Sequence, residues 1–237
     1  MPAALNNGDE SRRLYRLLAW LSPNYPIGAF SYSHGLEAAI EQGFVANAAD
    51  LTDWIADIVE DGAGRNDGLL LSAAYQASRS GDDVALDQIA DLGTAFQPTA
   101  ELLLETTTQG RAFLDTTRAA WPAASLDRLS QVRQGRPTVL PVVVGAAAAG
   151  HVIPLAATLH GYVQAFAANL ISAGVRLVPL GQTDGQRAIA ALEPVLAKTA
   201  DQVLALRHPL DHLASNTVMN DWCSMRHETQ YTRLFRS

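Results

Sequence analysis

Ser31, Ser33 and His34 stand within four residues of one another, and a hydroxyl beside an imidazole is the start of a nucleophile–base pair. No acid follows at a spacing that would orient the histidine, and the strand-to-helix elbow G-x-S-x-G is absent. Metal chemistry needs clustered ligands that can lose a proton. Cys223 with His227 gives C-x3-H, and His208 with His212 gives an i, i+4 pair. Each supplies only two ligands, and Pro209 directly after His208 stops one continuous helix from carrying both histidines. The run Gly181-Gln182-Thr183-Asp184-Gly185 lacks the lysine and the preceding strand of a phosphate loop, and reads as a turn in which Asp184 or Thr183 caps the next helix. Neither catalytic residues nor a cofactor site nor a dedicated metal site is predicted, and His208, His212, Cys223 and His227 are the only candidate ligands.

What the side chains offer instead is recognition. Trp222 to Ser237 reads WCSMRHETQYTRLFRS, in which Arg226, Arg233 and Arg236 alternate with hydroxyls and with Met225, Tyr231, Leu234 and Phe235. Charge, hydrogen-bonding groups and apolar anchors in one segment make a docking tail. Tyr231, Leu234 and Phe235 would each waste roughly 1.5 to 3 kcal/mol of apolar burial if left in water. The tail is therefore expected to be loose when free and to order on a partner. A second stretch, Pro23 to Glu37, sets Phe30, Ser31, Tyr32, Ser33 and His34 before a short helix ending around Gly43. It reads either as a shaped surface at a helix N-terminus or as a capped loop, with Ser31 or Ser33 as N-cap and Phe30 as hydrophobic staple.

Three stretches, Ser22–Glu37 (SPNYPIGAFSYSHGLE), Val175–Arg187 (VRLVPLGQTDGQR) and Ser224–Ser237 (SMRHETQYTRLFRS), lie in an order and spacing that resembles the urease accessory protein F family. Trp222, Cys223, Thr232 and Gly174 depart from that family's usual residues. The resemblance implies an all-α, cytoplasmic, non-catalytic protein that dimerises. It implies bridging between two other accessory proteins, the scaffold called D or H and the nickel-carrying GTPase called G, and through them delivery of Ni²⁺ to apo-urease. It also leaves open a regulator of the GTPase or a conduit for nickel. The residues it marks for partner binding are Tyr32, Ser33, Glu37, Gln182, Asp184, Gln186, Arg226, His227, Glu228, Tyr231, Arg233, Leu234, Phe235 and Arg236.

Composition agrees with a protein partner. The net charge is −7 and the chain holds one lysine against sixteen arginines, so it offers no polybasic face for nucleic acid. The single cysteine, Cys223, allows no intrachain disulfide and suits a reducing compartment. Met1 to Arg13 has no secretory pattern. Val139 to Leu159 is apolar over 21 residues, but Pro141, His151 and Pro154 interrupt it, so a buried helix is expected rather than a membrane span.

The elements that must position these residues are helices. Strand alternation is scarce, whereas i, i+3, i+4 spacing recurs from end to end. Leu51, Trp54, Ile55, Ile58 and Val59 form one stripe behind an Asp50 N-cap, and Leu69 to Ala74 mark a second helix closing before Gly81. Asp83–Gly93, Thr99–Ala120 and Ser125–Gln134 follow. Leu140–Gly174 gives two helices divided near Pro154, and Gln186–Leu206 and Leu210–Met225 are split at Pro209, with Pro194 kinking or ending the first of these. The prediction is a single all-α domain of eight to ten helices, several short or Pro-interrupted. Its parts are a flexible N-terminus at 1–10, the helical domain at 11–225 and the docking tail at 226–237.

Overall fold

A computed structural model describes residues 7–237. Residues 1–6 lie outside the described residues, so the flexible segment expected at 1–10 can be followed only over 7–10, and there it forms the opening turn of a helix. Among the described residues there are eleven α-helices and no strand. They are α1 (Asn7–Trp20), α2 (Leu36–Glu41), α3 (Ala48–Asp61), α4 (Ala63–Ser80), α5 (Asp83–Ala95), α6 (Ala100–Ala120), α7 (Ala124–Arg133), α8 (Leu140–Gly150), α9 (Leu155–Leu177), α10 (Gln182–Leu204) and α11 (Val218–His227). Two 3-10 turns, Ala29–Ser31 and Pro209–His212, complete the set. The all-α reading holds, and α1 is the helix beyond the predicted number.

The centre is α8, whose valines, alanines and Gly145 are buried from Pro141 to Ala149. A helix without large side chains lets its neighbours come close, and α4 does so. A Cβ on Gly145 would stand 2.5 Å from the Leu71 carbonyl oxygen and 3.1 Å from the Tyr75 nitrogen, so only glycine fits. Around this pair, α3, α9 and α10 pack on one side, and α5, α6 and α7 on the other. The apolar run Val139–Leu159 is broken at 151–154 into two helices, and no helix among the described residues is long and apolar enough to cross a membrane.

Three local expectations are corrected by packing. Asn47, not Asp50, caps α3 by accepting from the Ala49 and Asp50 amides, while the Asp50 carboxylate accepts from Ala46 N. Pro194 neither ends nor interrupts α10: it is exposed, so the carbonyl it leaves unpaired faces water while Ala188, Leu192, Leu196 and Val203 hold the buried side. The helix expected from Leu210 starts only at Val218. Asn66 of α4 is the cause, because it donates to the Ala214 carbonyl and accepts from the Ala214 amide, fixing 213–217 outside a helix, and Arg65 donates to the His212 carbonyl.

Gly145→Ala tests the α4–α8 contact. Alanine in a helix interior is normally worth about 1 kcal/mol over glycine. Here the clash with backbone should reverse the sign, with a net loss of about 1–3 kcal/mol in urea unfolding. A raised urea midpoint would show that α4 can step back at no cost.

Candidate partner-docking site

The chain around Ser33 is shaped by two residues in the left-handed region, His34 at φ 59° and Gly35 at φ 81°. Glycine at 35 has a second reason: a Cβ there would meet Ser224 N at 3.1 Å and Asn220 O at 3.2 Å, so α11 sits directly on it. The turn points Ser33 and Glu37 inward. The N-cap of α2 is Gly35, not Ser31 or Ser33, because the left-handed turn at 34–35 sets the helix start two residues later. Ser33 Oγ still accepts from the Glu37 amide, and Phe30 is not a staple, since its ring is exposed.

On α6, Glu101 and Glu105 are one turn apart and share a buried face. Opposite them His227 ends α11, wholly buried at 0 % exposure. Its Nδ1 lies 2.8 Å from Glu101 Oε2 and its Nε2 lies 3.1 Å from Glu37 Oε2. After His227 the chain turns and comes back over these carboxylates. Arg233 Nη1 donates to Glu101 Oε1 at 3.0 Å, Leu234 N to Glu37 Oε1 at 2.7 Å and Phe235 N to Glu37 Oε2 at 2.9 Å. Arg236 N donates to Ser31 O and Ser33 N to the main-chain oxygen of Ser237, each at 2.8 Å, and Ser33 Oγ donates to that same oxygen. Ser237 Oγ donates to Glu105 Oε2 at 2.7 Å.

The tail expected to be loose is thus seated on its own body, and its anchors divide between two faces. Phe235 is 4 % exposed, with the Arg176 guanidinium between its ring and that of Phe30 at 4.3 and 3.6 Å. Tyr231 and Leu234 point away, at 103 % and 64 % exposure. Tyr32, Ser33, Glu37 and His227 are interior rather than open to solvent, and of these Ser33 and Glu37 bond the returning tail directly. Arg226, Glu228 and Arg236 are exposed, and Arg233 shows one side to water and the other to Glu101. Beside them α11 presents Trp222 and Met225, and Trp222 meets the Phe44 ring edge-on.

The remaining candidates stand apart. Gln182 and Gln186 are exposed on the first turns of α10, and Asp184 accepts from the Gly181 amide as a cap and pairs with Arg187. His208 and His212 are exposed around the second 3-10 turn. Cys223 is buried, and that burial pushes its thiol up to about 11. Among the described residues no group of three or more His, Cys, Asp or Glu is arranged to hold a metal ion. Nor does His34 address a serine: its nearest carboxylate oxygen is Glu105 Oε2 at 3.5 Å, and neither ring nitrogen makes a hydrogen bond among the described residues.

Deeper still, Tyr162 of α9 donates to Asp67 of α4 at 2.6 Å. Burial raises the Asp67 carboxyl to about 6 against that hydrogen bond and against His34. Burial also raises Glu101, opposed by His227 and Arg233. Burial works against charge on His34, but Glu105, with Asp67 and Asp221, outweighs it and holds the imidazole above its ordinary value. Glu101, Glu105, Asp67 and Arg176 are site residues that sequence reasoning missed. The i, i+4 carboxylates of α6 were the available signal, but the same spacing describes a solvated helix face.

This is an all-helical protein built to hold a surface segment in a set shape, and comparison places it among the accessory proteins of urease. A family model described as UreF matches residues 45–193. A urease accessory protein UreF of Rhodopseudomonas palustris (strain HaA2) is 52% identical over 231 residues, covering 98% of this chain and 96% of that protein. One from Granulibacter bethesdensis is 52% identical over 232 residues (98% and 96%), and one from Bradyrhizobium diazoefficiens 49% over 237 residues (98% and 97%). The chain belongs to the UreF family.

The Asp67 carboxyl gives a pH test. Its folded value, about 6, lies above the ordinary 3.8, so its protonated form favours folding and that contribution is lost as pH rises from about 4 through 6. Asp67→Asn should remove on the order of 2–3 kcal/mol from the difference in unfolding free energy between pH 4 and 7. Equal differences in both proteins, measured by urea titration, would contradict a buried, proton-holding Asp67.

Proposed function

We propose that the protein is a non-catalytic adaptor in urease maturation, bridging the scaffold protein D or H and the nickel-carrying GTPase G in the cytoplasm, as a homodimer. Nickel is then cargo of the assembly. The observation that supports this reading is the two-sided tail. Its inner side, Phe235, Arg233 and Ser237, is consumed by the body, while its outer side offers Tyr231, Leu234, Arg226 and Arg236 beside Trp222 and Met225. Aromatic, aliphatic and arginine side chains held in one place are the composition of an interface centre. A segment already fixed loses less entropy on association than one that must order first. Tyr32, Ser33, Glu37, His227 and Phe235 then serve the partner indirectly, by shaping the tail. Gln182, Asp184 and Gln186 form a separate exposed edge that suits a second partner.

Removal of 229–237 should abolish co-elution with the scaffold protein in gel filtration. The double substitution Tyr231→Ala, Leu234→Ala should weaken that binding at least about tenfold, the effect of roughly 1.4 kcal/mol, with far-UV circular dichroism unchanged. Scaffold binding that survives both changes would place the interface elsewhere.

A further inference from the structure

The tail seat holds more charge inside the protein than a docking surface requires. Both ring nitrogens of His227 face carboxylate oxygens, Nδ1 toward Glu101 at 2.8 Å and Nε2 toward Glu37 at 3.1 Å. A carboxylate only accepts, and a neutral imidazole carries one N–H. The two bonds coexist only when a proton is held there, on the imidazole as its cation or on one of the carboxyls. Without it a nitrogen lone pair faces an oxygen lone pair at a fully buried position, which is among the costlier arrangements in a protein. His34 differs: only its Nδ1 approaches a carboxylate, Glu105 Oε2 at 3.5 Å, and neither of its ring nitrogens is hydrogen-bonded among the described residues.

The same carboxylates carry the tail. Glu37 accepts the Leu234 and Phe235 amides, Glu105 accepts the Ser237 hydroxyl and Glu101 accepts Arg233. We propose that Glu37, Glu101 and His227, with His34 and Glu105 beside them, form a proton-dependent latch: the tail is seated while the proton shared by His227 and its two carboxylates is held, and loss of that proton in alkaline medium frees it. Every charged or titratable group facing the two rings bears on the balance. These are Glu37 from α2, Glu101 and Glu105 from α6, Asp67 from α4, Tyr162 through Asp67 from α9, Asp221 and Glu228 from α11, and Arg233 from the tail. Arg233 is the one permanent cation bonded to the three glutamates among the described residues. The rest falls to the proton shared between His227 and its carboxylates and to His34, held against its burial above its ordinary value by Glu105, Asp67 and Asp221.

The sign follows from the folded-state values. His34 lies above its ordinary 6.5, so its contribution is complete below about that pH and is lost as pH rises through the higher value. The raised carboxyls of Glu101 and Asp67 act in the same direction. Deprotonation is expected to detach the tail before the bundle, because besides these polar groups the tail is held only by Phe235 at the core's edge and a few bonds to Ser31 and Ser33, whereas the helices bury a continuous apolar core. The latch belongs to this chain alone; only its consequence, that Tyr231 and Leu234 pass from fixed to free presentation, rests on the docking reading.

The test is ¹⁹F NMR of the full chain carrying 4-fluorophenylalanine, with the Phe235 resonance assigned through Phe235→Leu. Between pH 6 and 9 the signal of the buried ring should give way to that of a solvated ring. The free population should rise at least about tenfold, while circular dichroism at 222 nm stays constant. His227→Gln, whose two N–H donors sit on one nitrogen and cannot span Glu101 and Glu37 as Nδ1 and Nε2 do, should show the solvated signal already at pH 6. A buried Phe235 signal unchanged from pH 6 to 9 in the unsubstituted chain would overturn the latch, as would simultaneous loss of the tail and the helices. If His227→Gln fails to fold, the pH series of the unsubstituted chain decides alone. Failure of tail-truncated protein to lose the scaffold would remove the docking reading and leave this measurement untouched.

Discussion

One carboxylate ties α2 to the C-terminal stretch of the chain. Glu37 accepts two successive main-chain amides, Leu234 and Phe235, and a nitrogen of His227. No side chain other than an ionised carboxylate offers enough acceptor positions for three donors in that volume. Burying such a group costs several kcal/mol unless it is bonded on all sides, so the arrangement is stable only when complete. That requirement fixes α2, the end of α11 and the tail relative to one another.

The rest of the molecule is arranged to make this completion possible. α11 can bring His227 between Glu37 and Glu101 because Gly35 has no side chain to hold it off, and because Asn66 binds Ala214 and so sets where α11 begins. α6 brings Glu101 and Glu105 to one face, and Arg176 from α9 clamps Phe235 against Phe30. The small-residue helix α8 allows the close packing of α4 from which Asn66 and Asp67 project. Core and site are thus continuous, with Phe235 of the tail and Cys223 of α11 both belonging to the apolar core.

The three stretches that mark the family in sequence acquire a physical relation in the fold. The first, around Ser33 and Glu37, and the last, around His227 and Phe235, are two halves of one bonded site. The middle one contributes Arg176 to that site and otherwise forms the start of α10. Three stretches that stand apart in the sequence therefore meet in one interior joint with two exposed edges. The division of the tail into an inner and an outer side follows from the joint.

Helix content, the apolar stripes of α3 and α4, the breaks at Gly81, Pro154 and Pro209, and the atypical composition of the tail were legible in the sequence, because each depends on neighbours within a few residues. The onset of α11 and the continuity of α10 through Pro194 were not, since the first depends on Asn66, about 150 residues away along the chain, and the second on which side of a helix meets water. The site was legible as a set of residue types and illegible as a geometry. Tyr231 and Phe235 look alike in sequence, and so do a solvated and a buried glutamate on α6. Only the tertiary structure decided that Phe235 turns in and Tyr231 turns out, and that Glu37, Glu101 and Glu105 are interior. The physical reason is that burying a charge depends on partners supplied by other parts of the chain, and local spacing carries no record of them.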